Sequence, residues 1–471
     1  MIISLLFCLS KLQISKGVSQ IYIKHLIDRI GSNKVSQNET ELFRHSHDES
    51  PHKTIEPDVV CFPECKDDIK NIVEVAHAHR VPVTAFGAGS GLEGQAIPIH
   101  KGISINFENM NAVVDFSPDD MTITVQPGLT RLQLNKLVNR KGLMFPIDPG
   151  ADATIGGMVA TNASGTTAVR YGSMRDQLLD LEVVLADGTV IHTGTHAKKS
   201  SSGYNLTGLF AGSEGTLGII TEVTLRLHGI PEYTMVARCT FDTPEKCAQA
   251  AQTILLSGIP VMRMELVDAQ SISQVNMYGG YNYPVKHSLF FEFAGLKAAV
   301  EEEIKLAQEL MNDLDCQDWK VATDPKEQKE LWKARHELSY AYGHIKGMAD
   351  TGADVCVPIS RLPELVVYAR ELIEQSGLEG GILGHVGDGN FHTIVIFDSN
   401  NPGEQEKAEY TNEALAMRAI EVGGTCTGEH GVGLGKMKLQ KAEHGDAVGI
   451  MKGVKQMLDP EGLLNPGKIF Y

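Results

Sequence analysis

The sequence predicts an α+β protein built in two parts, and three observations carry that prediction. The chain has 471 residues, 42% apolar and 21% charged, enough for two or three globular domains. Residues 81–227 read mostly as short β-like runs broken by Gly, Pro, Asn and Asp. From residue 233 the order becomes β-α-β-β-α, close to a ferredoxin-like unit, with a boundary near Pro231.

The elements follow in chain order. Residues 67–80 read as a helix: Ile69, Ile72, Val73 and Ala76 share one face, and Asp67 and Asp68 sit in the first turn. Strands are predicted at 81–86, 102–107, 112–116 and 121–125, and a short helix at 131–141. Residues 181–186 and 190–193 flank Asp187-Gly188 as a β-hairpin. Residues 218–227 alternate as a further strand. In the second part, strand 235–241 leads to a helix opened by Thr243-Pro244-Glu245 and closed at Gly258. Strands at 261–267 and 288–293 precede a helix bearing Val300, Ile304, Ala307, Met311 and Leu314, with Glu301, Glu302 and Glu303 expected in its N-terminal turn.

Net charge is −17 with no dense basic block, which argues against a nucleic-acid partner. The eight cysteines are scattered without a Cys-x-x-Cys pair, so no disulfide framework is expected. No run of 18 apolar residues exists, so no transmembrane span is expected. The first acidic residue is Asp28, after Lys11, Lys16 and Lys24, so residues 1–50 read as a mitochondrial presequence and linker, although poor in Arg. His45, His47 and His52 lie in a polar stretch, 35–58, read as a solvated linker rather than a metal site.

The segment "TAFGAGSGLEGQ" contains Gly89, Gly91 and Gly94 in G-x-G-x-x-G spacing after a strand. A dinucleotide fingerprint must also open a helix. Pro98 and Gly102 forbid one of normal length, so NAD binding is excluded here. The glycines then serve either a tight turn array without ligand or a nest of backbone amides for an anion. Two further loops, "PGADATIGGMVATNASG" and "AGSEGTLG", favour one extended phosphate-bearing ligand.

With "RYG", these loops resemble the FAD-binding domain of the flavin oxidoreductases related to vanillyl-alcohol oxidase and p-cresol methylhydroxylase (PCMH). The C-terminal "GHVGDGNFH", "GTCTGEHGVGLGK" and "LDPEGLLNPGK" narrow the resemblance to the cytochrome-linked D-lactate dehydrogenases of the D-2-hydroxyacid dehydrogenase group, over roughly residues 50–471. It implies a two-part PCMH-type FAD domain over 51–232, then a cap domain over 233–471 whose C-terminal helical segment returns to the FAD domain. The FAD pyrophosphate would lie against loop 87–94, and Phe86, Gly87, Ala88, Gly89, Ser90, Gly91 and Leu92 would bind the cofactor there. Pro149, Gly150, Gly156, Gly157, Asn162, Ser164 and Gly165 would add contacts from the second loop, and Tyr171 and Gly172 from "RYG". Glu214, Gly218, Ile219 and Asn465 complete the expected cofactor set. Some relatives tether the flavin through a His in the first loop; this loop has none, so non-covalent FAD is expected.

His385 and His392 flank a Gly387-Asp-Gly389 turn between apparent strands, and Glu429-His430 lies in a second glycine-rich bend. Two His and one carboxylate are a usual set for a catalytic divalent metal, against the alternative of separate structural histidines. The resemblance assigns the metal, Zn or Mn, to His385, His392 and Glu429, and the general base to His430. It makes Arg335, in "LWKARHE", the clamp for a substrate carboxylate. The implied reaction is oxidation of a small D-2-hydroxyacid to the 2-keto acid, with reoxidation by an electron carrier such as cytochrome c. Relatives acting on D-2-hydroxyglutarate carry a Lys before the strand corresponding to 354–358; Thr351-Gly-Ala-Asp354 has none, although Lys346 is near. D-lactate is therefore favoured, over glycolate, D-2-hydroxyglutarate or a flavin-binding subunit without turnover.

Overall fold

The computed structural model describes residues 20–471 apart from 344 and 346. The chain forms two compact units. The first comprises residues up to Ala163, Met174–Gly229 and His430–Tyr471; the second comprises Ser164–Ser173 and Ile230–Glu429.

The first unit contains two main sheets. In the smaller one, Val59–Cys61 and Val83–Phe86 flank Ile103–Asn106, both parallel to it, with Val35–Ser36 antiparallel at the edge. Ile103–Asn106 is buried throughout, as a strand covered on both faces must be. Helix Lys66–His79 lays Ile69, Ile72, Val73 and Ala76 into this core, the face expected from their spacing. The larger sheet is antiparallel, in the order Val113–Ser117, Thr122–Val125, Ile219–Arg226, Leu178–Val184, Val190–His192. Its last two strands are the expected Asp187-Gly188 hairpin, with Val184 opposite Val190. Helices Arg131–Val138 and Ile155–Thr161 contribute Leu134, Val138, Ile155, Met158 and Val159 to a second core on this sheet.

Residues 20–58 differ from expectation. A helix over 20–30 buries Tyr22, Ile23, Leu26 and Ile30 in the first core, so folded structure begins well before residue 50. His45 is fully buried rather than solvated: its ring lies 4.4 Å from that of Phe86, and its Nε2 is 2.9 Å from Asn106 Nδ2. The polar letters of 35–58 concealed a satisfied core histidine. The presequence reading of residues 1–19 falls outside the described residues.

The second unit is built on an eight-stranded antiparallel sheet. Its first four positions, Gln317–Ala322, Tyr233–Phe241, His287–Gly295 and Val261–Val267, are in ferredoxin-like order. The sheet continues through Glu379–Gly384, Asn390–Asp398 and Met348–Thr351, with Asp354–Cys356 also paired to Asn390–Asp398. Helix Pro244–Leu256 starts as expected, Thr243 accepting from the Lys246 amide. Helix Ala269–Gly279, capped by Asp268, stands where two strands were expected to follow directly. Helix Lys297–Asp313 begins earlier than expected, which places Glu301–Glu303 beyond its first turn and away from the N-terminal dipole.

Gly102 feeds strand Ile103–Asn106 with φ +78°, and a Cβ there would lie 2.3 Å from the Pro82 carbonyl oxygen. Gly102→Ala is expected to destabilise the first unit by more than about 1 kcal/mol, read as a lower Tm; an unchanged Tm would contradict this packing.

Candidate active site

The first loop connects two parallel strands, Val83–Phe86 and Ile103–Asn106, with no helix between them. That is the context in which a dinucleotide fingerprint fails, and the sequence reading of this loop agrees with it. Phe86 ends the first strand, and Gly87 to Leu92 form the loop. A Cβ at Gly87 would lie 2.4 Å from Thr154 Oγ1, and one at Gly156 would lie 2.5 Å from the Pro127 side chain. Gly87 thus lets the first loop pack on Thr154 of the second, and Gly156 lets the second loop pack on Pro127.

Pro149 and Gly150 precede helix Ile155–Thr161; Gly156 and Gly157 lie in its first turn, and Asn162 is its left-handed C-cap. Gly218 and Ile219 open the central strand of the larger sheet. All of these lie in the first unit; Ser164, Gly165, Tyr171 and Gly172 belong to the second.

Two of the expected cofactor residues are bonded to other parts of the first unit. Glu214 is buried, and its two carboxylate oxygens accept from the amides of Val432 at 2.6 Å and Gly433 at 2.9 Å. Burial pushes its carboxyl up to about 7, against the pull of those two amides. Asn465 donates its own amide to Val83 O and its side-chain N–H groups to Gln95 O and Glu214 O. It ties the first and third loops to the C-terminal segment.

In the second unit, strands Glu379–Gly384 and Asn390–Asp398 pair so that Leu383 faces His392. The turn between them brings the imidazoles of His385 and His392 to 5.6 Å, nearly perpendicular. The sequence expected this convergence. Both Nε2 atoms face one oxygen, Glu429 Oε1, at 3.4 and 3.3 Å. Behind them stand two carboxylates that sequence reasoning missed: Glu265 Oε1 lies 2.6 Å from His385 Nδ1, and Asp354 Oδ1 lies 3.4 Å from His392 Nδ1. Asp354 also accepts from the Glu429 amide at 2.9 Å and from Asn390 Nδ2 at 2.8 Å. Ser164, expected at the flavin, donates to Glu429 Oε2 at 3.0 Å.

Arg335 donates through Nε to Glu265 Oε2 at 2.7 Å. Its side chain is only 14% exposed, so this is an internal ion pair one carboxylate away from His385. The expected clamp therefore already has a protein partner. His430 follows Glu429 directly but belongs to the first unit, where its carbonyl accepts from Gln95 Nε2 at 2.7 Å. Lys346 lies outside the described residues.

The electrostatics of the cluster are unusual. Burial opposes charge on Glu265, His385, His392 and Glu429, yet Glu265 and Glu429 hold His385 well above the ordinary imidazole range. Glu429 in turn is held well below the usual carboxylate range by the two histidines, despite its burial. With both imidazoles neutral, the three carboxylates and the Arg335 guanidinium would leave two negative charges. A buried imbalance of that size needs compensation, by two protons on the histidines or by a divalent cation between their Nε2 atoms. His385, His392 and Glu429 each offer one ligand atom, mutually within 4.8 Å. Carboxylates on the far imidazole nitrogens are the usual outer support of metal-binding histidines.

Two family matches agree with the architecture: residues 57–194 match the FAD binding domain, and residues 230–469 the FAD linked oxidases, C-terminal domain. Together they define a flavin-dependent oxidoreductase. The chain belongs to the FAD-linked oxidase family that includes the mitochondrial D-lactate dehydrogenases. It is 44% identical to a zebrafish (Danio rerio) protein named probable D-lactate dehydrogenase, mitochondrial, over 93% of this chain and 89% of the relative. It is 40% identical to the Arabidopsis thaliana mitochondrial D-lactate dehydrogenase [cytochrome], over 96% and 81%. The fold is that of p-cresol methylhydroxylase, with a TM-score of 0.79 at 16% identity over 96% of this chain and 97% of the other.

The raised Glu214 carboxyl makes the folded state bind a proton more tightly than the unfolded state. Stability is therefore expected to fall as pH rises from the ordinary carboxylate range to about 7. Glu214→Gln should flatten that slope in urea unfolding followed against pH; a slope unchanged in the variant would assign it to other groups.

Proposed function

We propose that this protein oxidises D-lactate to pyruvate with non-covalently bound FAD, in mitochondria, and passes the electrons to cytochrome c or a similar carrier. The carrying observation is the His385, His392 and Glu429 triad, its histidines buried, with Glu265 and Asp354 behind it, in a chain so similar to mitochondrial D-lactate dehydrogenases.

The backbone amides of Gly87 to Leu92 in the strand-to-strand glycine loop suit the pyrophosphate of FAD, whereas those of Ile155 to Met158 in the second loop are already bonded within the protein. Bound FAD supplies the two-electron acceptor for the hydride leaving C2. The two uncompensated negative charges of the cluster fit a divalent ion, zinc or manganese, at His385, His392 and Glu429. Bound there, such an ion supplies Lewis acidity that makes a 2-hydroxyl easier to deprotonate.

The chain's own residues do the rest. His430 takes the hydroxyl proton on an imidazole nitrogen, the role of a general base. As that proton leaves with C2 hydride loss, the C–O bond becomes the carbonyl of the keto acid, and atoms and electrons balance. Glu265 and Asp354 hold the two imidazoles with Nε2 forward. Arg335 fixes Glu265 through Nε, and the remaining guanidinium N–H groups are the proposed partner for the substrate carboxylate.

Purified protein should be yellow, and anaerobic D-lactate should bleach it while L-lactate does not. Bleaching by glycolate or D-2-hydroxyglutarate at higher kcat/KM would reassign the substrate. A colourless protein that takes up no FAD would end the proposal. Chelator should abolish bleaching and added Zn²⁺ or Mn²⁺ restore it. His430→Ala should retain FAD and lose about 10²–10⁴-fold in reduction rate; an undiminished rate would remove His430 as base. Glu265→Gln should weaken Mn²⁺ binding about 10–100-fold, measured by titration with paramagnetic resonance detection; unchanged affinity would detach Glu265 from the metal site.

A further inference from the structure

The segment that begins at His430 is held by side chains with no part in the chemistry above. Glu214 spans the amides of Val432 and Gly433, one carboxylate oxygen to each. Gln95 donates from Nε2 to the His430 carbonyl, and its Oε1 accepts from the Glu93 amide. The Leu434 amide donates to Glu93 O at 2.7 Å. Four backbone positions around the turn, 430, 432, 433 and 434, are therefore tied to the first glycine loop and to Glu214.

The fit leaves no slack. A Cβ at Gly431 would lie 2.6 Å from Glu214 Oε1 and 2.8 Å from Gln95 Nε2, and one at Gly433 would lie 2.1 Å from Glu93 O. Glu214 itself is 4% exposed, and its backbone is pinned through Asn465 to the Gln95 carbonyl. A carboxylate carried into the interior is costly unless its hydrogen bonds are specific. An uncharged side chain would fill this volume at lower cost. What the carboxylate adds is acceptance of two adjacent amides at once, which sets the direction of the chain as it leaves His430.

We propose that Glu214, with Gln95, is a positioning residue for the reaction: it fixes the backbone that carries His430, and so the placement of the base. This rests on the reading of His430 as base. The role differs from that of a cofactor contact, because the carboxylate oxygens are committed to Val432 and Gly433. Gln in place of Glu214 keeps the size but sets an amide N–H₂ against one backbone N–H, so one tie is lost and the turn shifts. A shift of about 1 Å in a catalytic group can cost roughly 10²-fold in rate.

The test is a double-mutant cycle on the FAD- and metal-loaded full-length protein, reading anaerobic flavin reduction by D-lactate, KM, and flavin content by absorbance. Glu214→Gln should retain FAD, keep KM within about twofold and slow reduction roughly 10–100-fold. In the His430→Ala background the same change should add little, because the group it positions is gone. Gln95→Leu should repeat this pattern and decides the matter if Glu214→Gln fails to hold FAD. Full-rate reduction in Glu214→Gln, or losses that multiply in the double variant, would overturn the proposal. Full-rate reduction in His430→Ala would overturn the base assignment instead, and is distinguished by being seen in the single His430 variant.

Discussion

Charge balance inside a low-dielectric interior is the constraint on which the second unit turns. Glu265 is fully buried and shared between Arg335 and His385, and Glu429 is shared between His385 and His392. Each acid makes sense only with its neighbours in place, since an unpaired buried carboxylate would cost several kcal/mol. The strands answer to this requirement. Val261–Val267 delivers Glu265, Glu379–Gly384 leads into His385, and Asn390–Asp398 delivers His392, from neighbouring positions in one sheet. Sheet pairing sets the spacing, and the acids set the orientation of the rings.

The first unit solves a different problem with different material. Its first glycine loop, Gly87 to Leu92, carries no ionisable side chain, in a chain of net charge −17. Two of the charged groups it buries, Glu214 and Lys468, are spent on the C-terminal segment: Lys468 reaches the Ile97 carbonyl, and burial lowers its ammonium to about 8.

Much of this was legible in the sequence. The helix over Lys66–His79, the Asp187-Gly188 hairpin and the His385–His392 convergence all followed from local spacing and turn chemistry. The three-part loop set and the C-terminal motifs were specific enough to reach the family. What escaped depends on contacts distant in sequence. Glu265 reads as one acid in an apolar strand, "VMRMELV", and that incongruity was the available signal. Asp354 opens a short buried strand in the same way. Helix Ala269–Gly279 announced itself only through Asp268 three residues before Ser271, an N-cap signal easily lost between two strong strands. His45 looked solvated because its neighbours in sequence are polar, while its neighbours in space are Phe62 and Phe86.

The way the chain is threaded has a consequence for how the molecule is made. The first unit contains both the earliest described residues and the last, with Leu464 bridging to Val83 and the Asn465 amide bonded to Val83 O. During synthesis, the sheet that forms first stays open along that side until nearly the whole chain has emerged, by which time residues 230–429 are already available to fold. The unit begun first is completed last. The same threading makes Ile230 a poor place to divide the gene, despite the change of domain there: a fragment starting at 230 would carry residues 430–471 away from the strands they close.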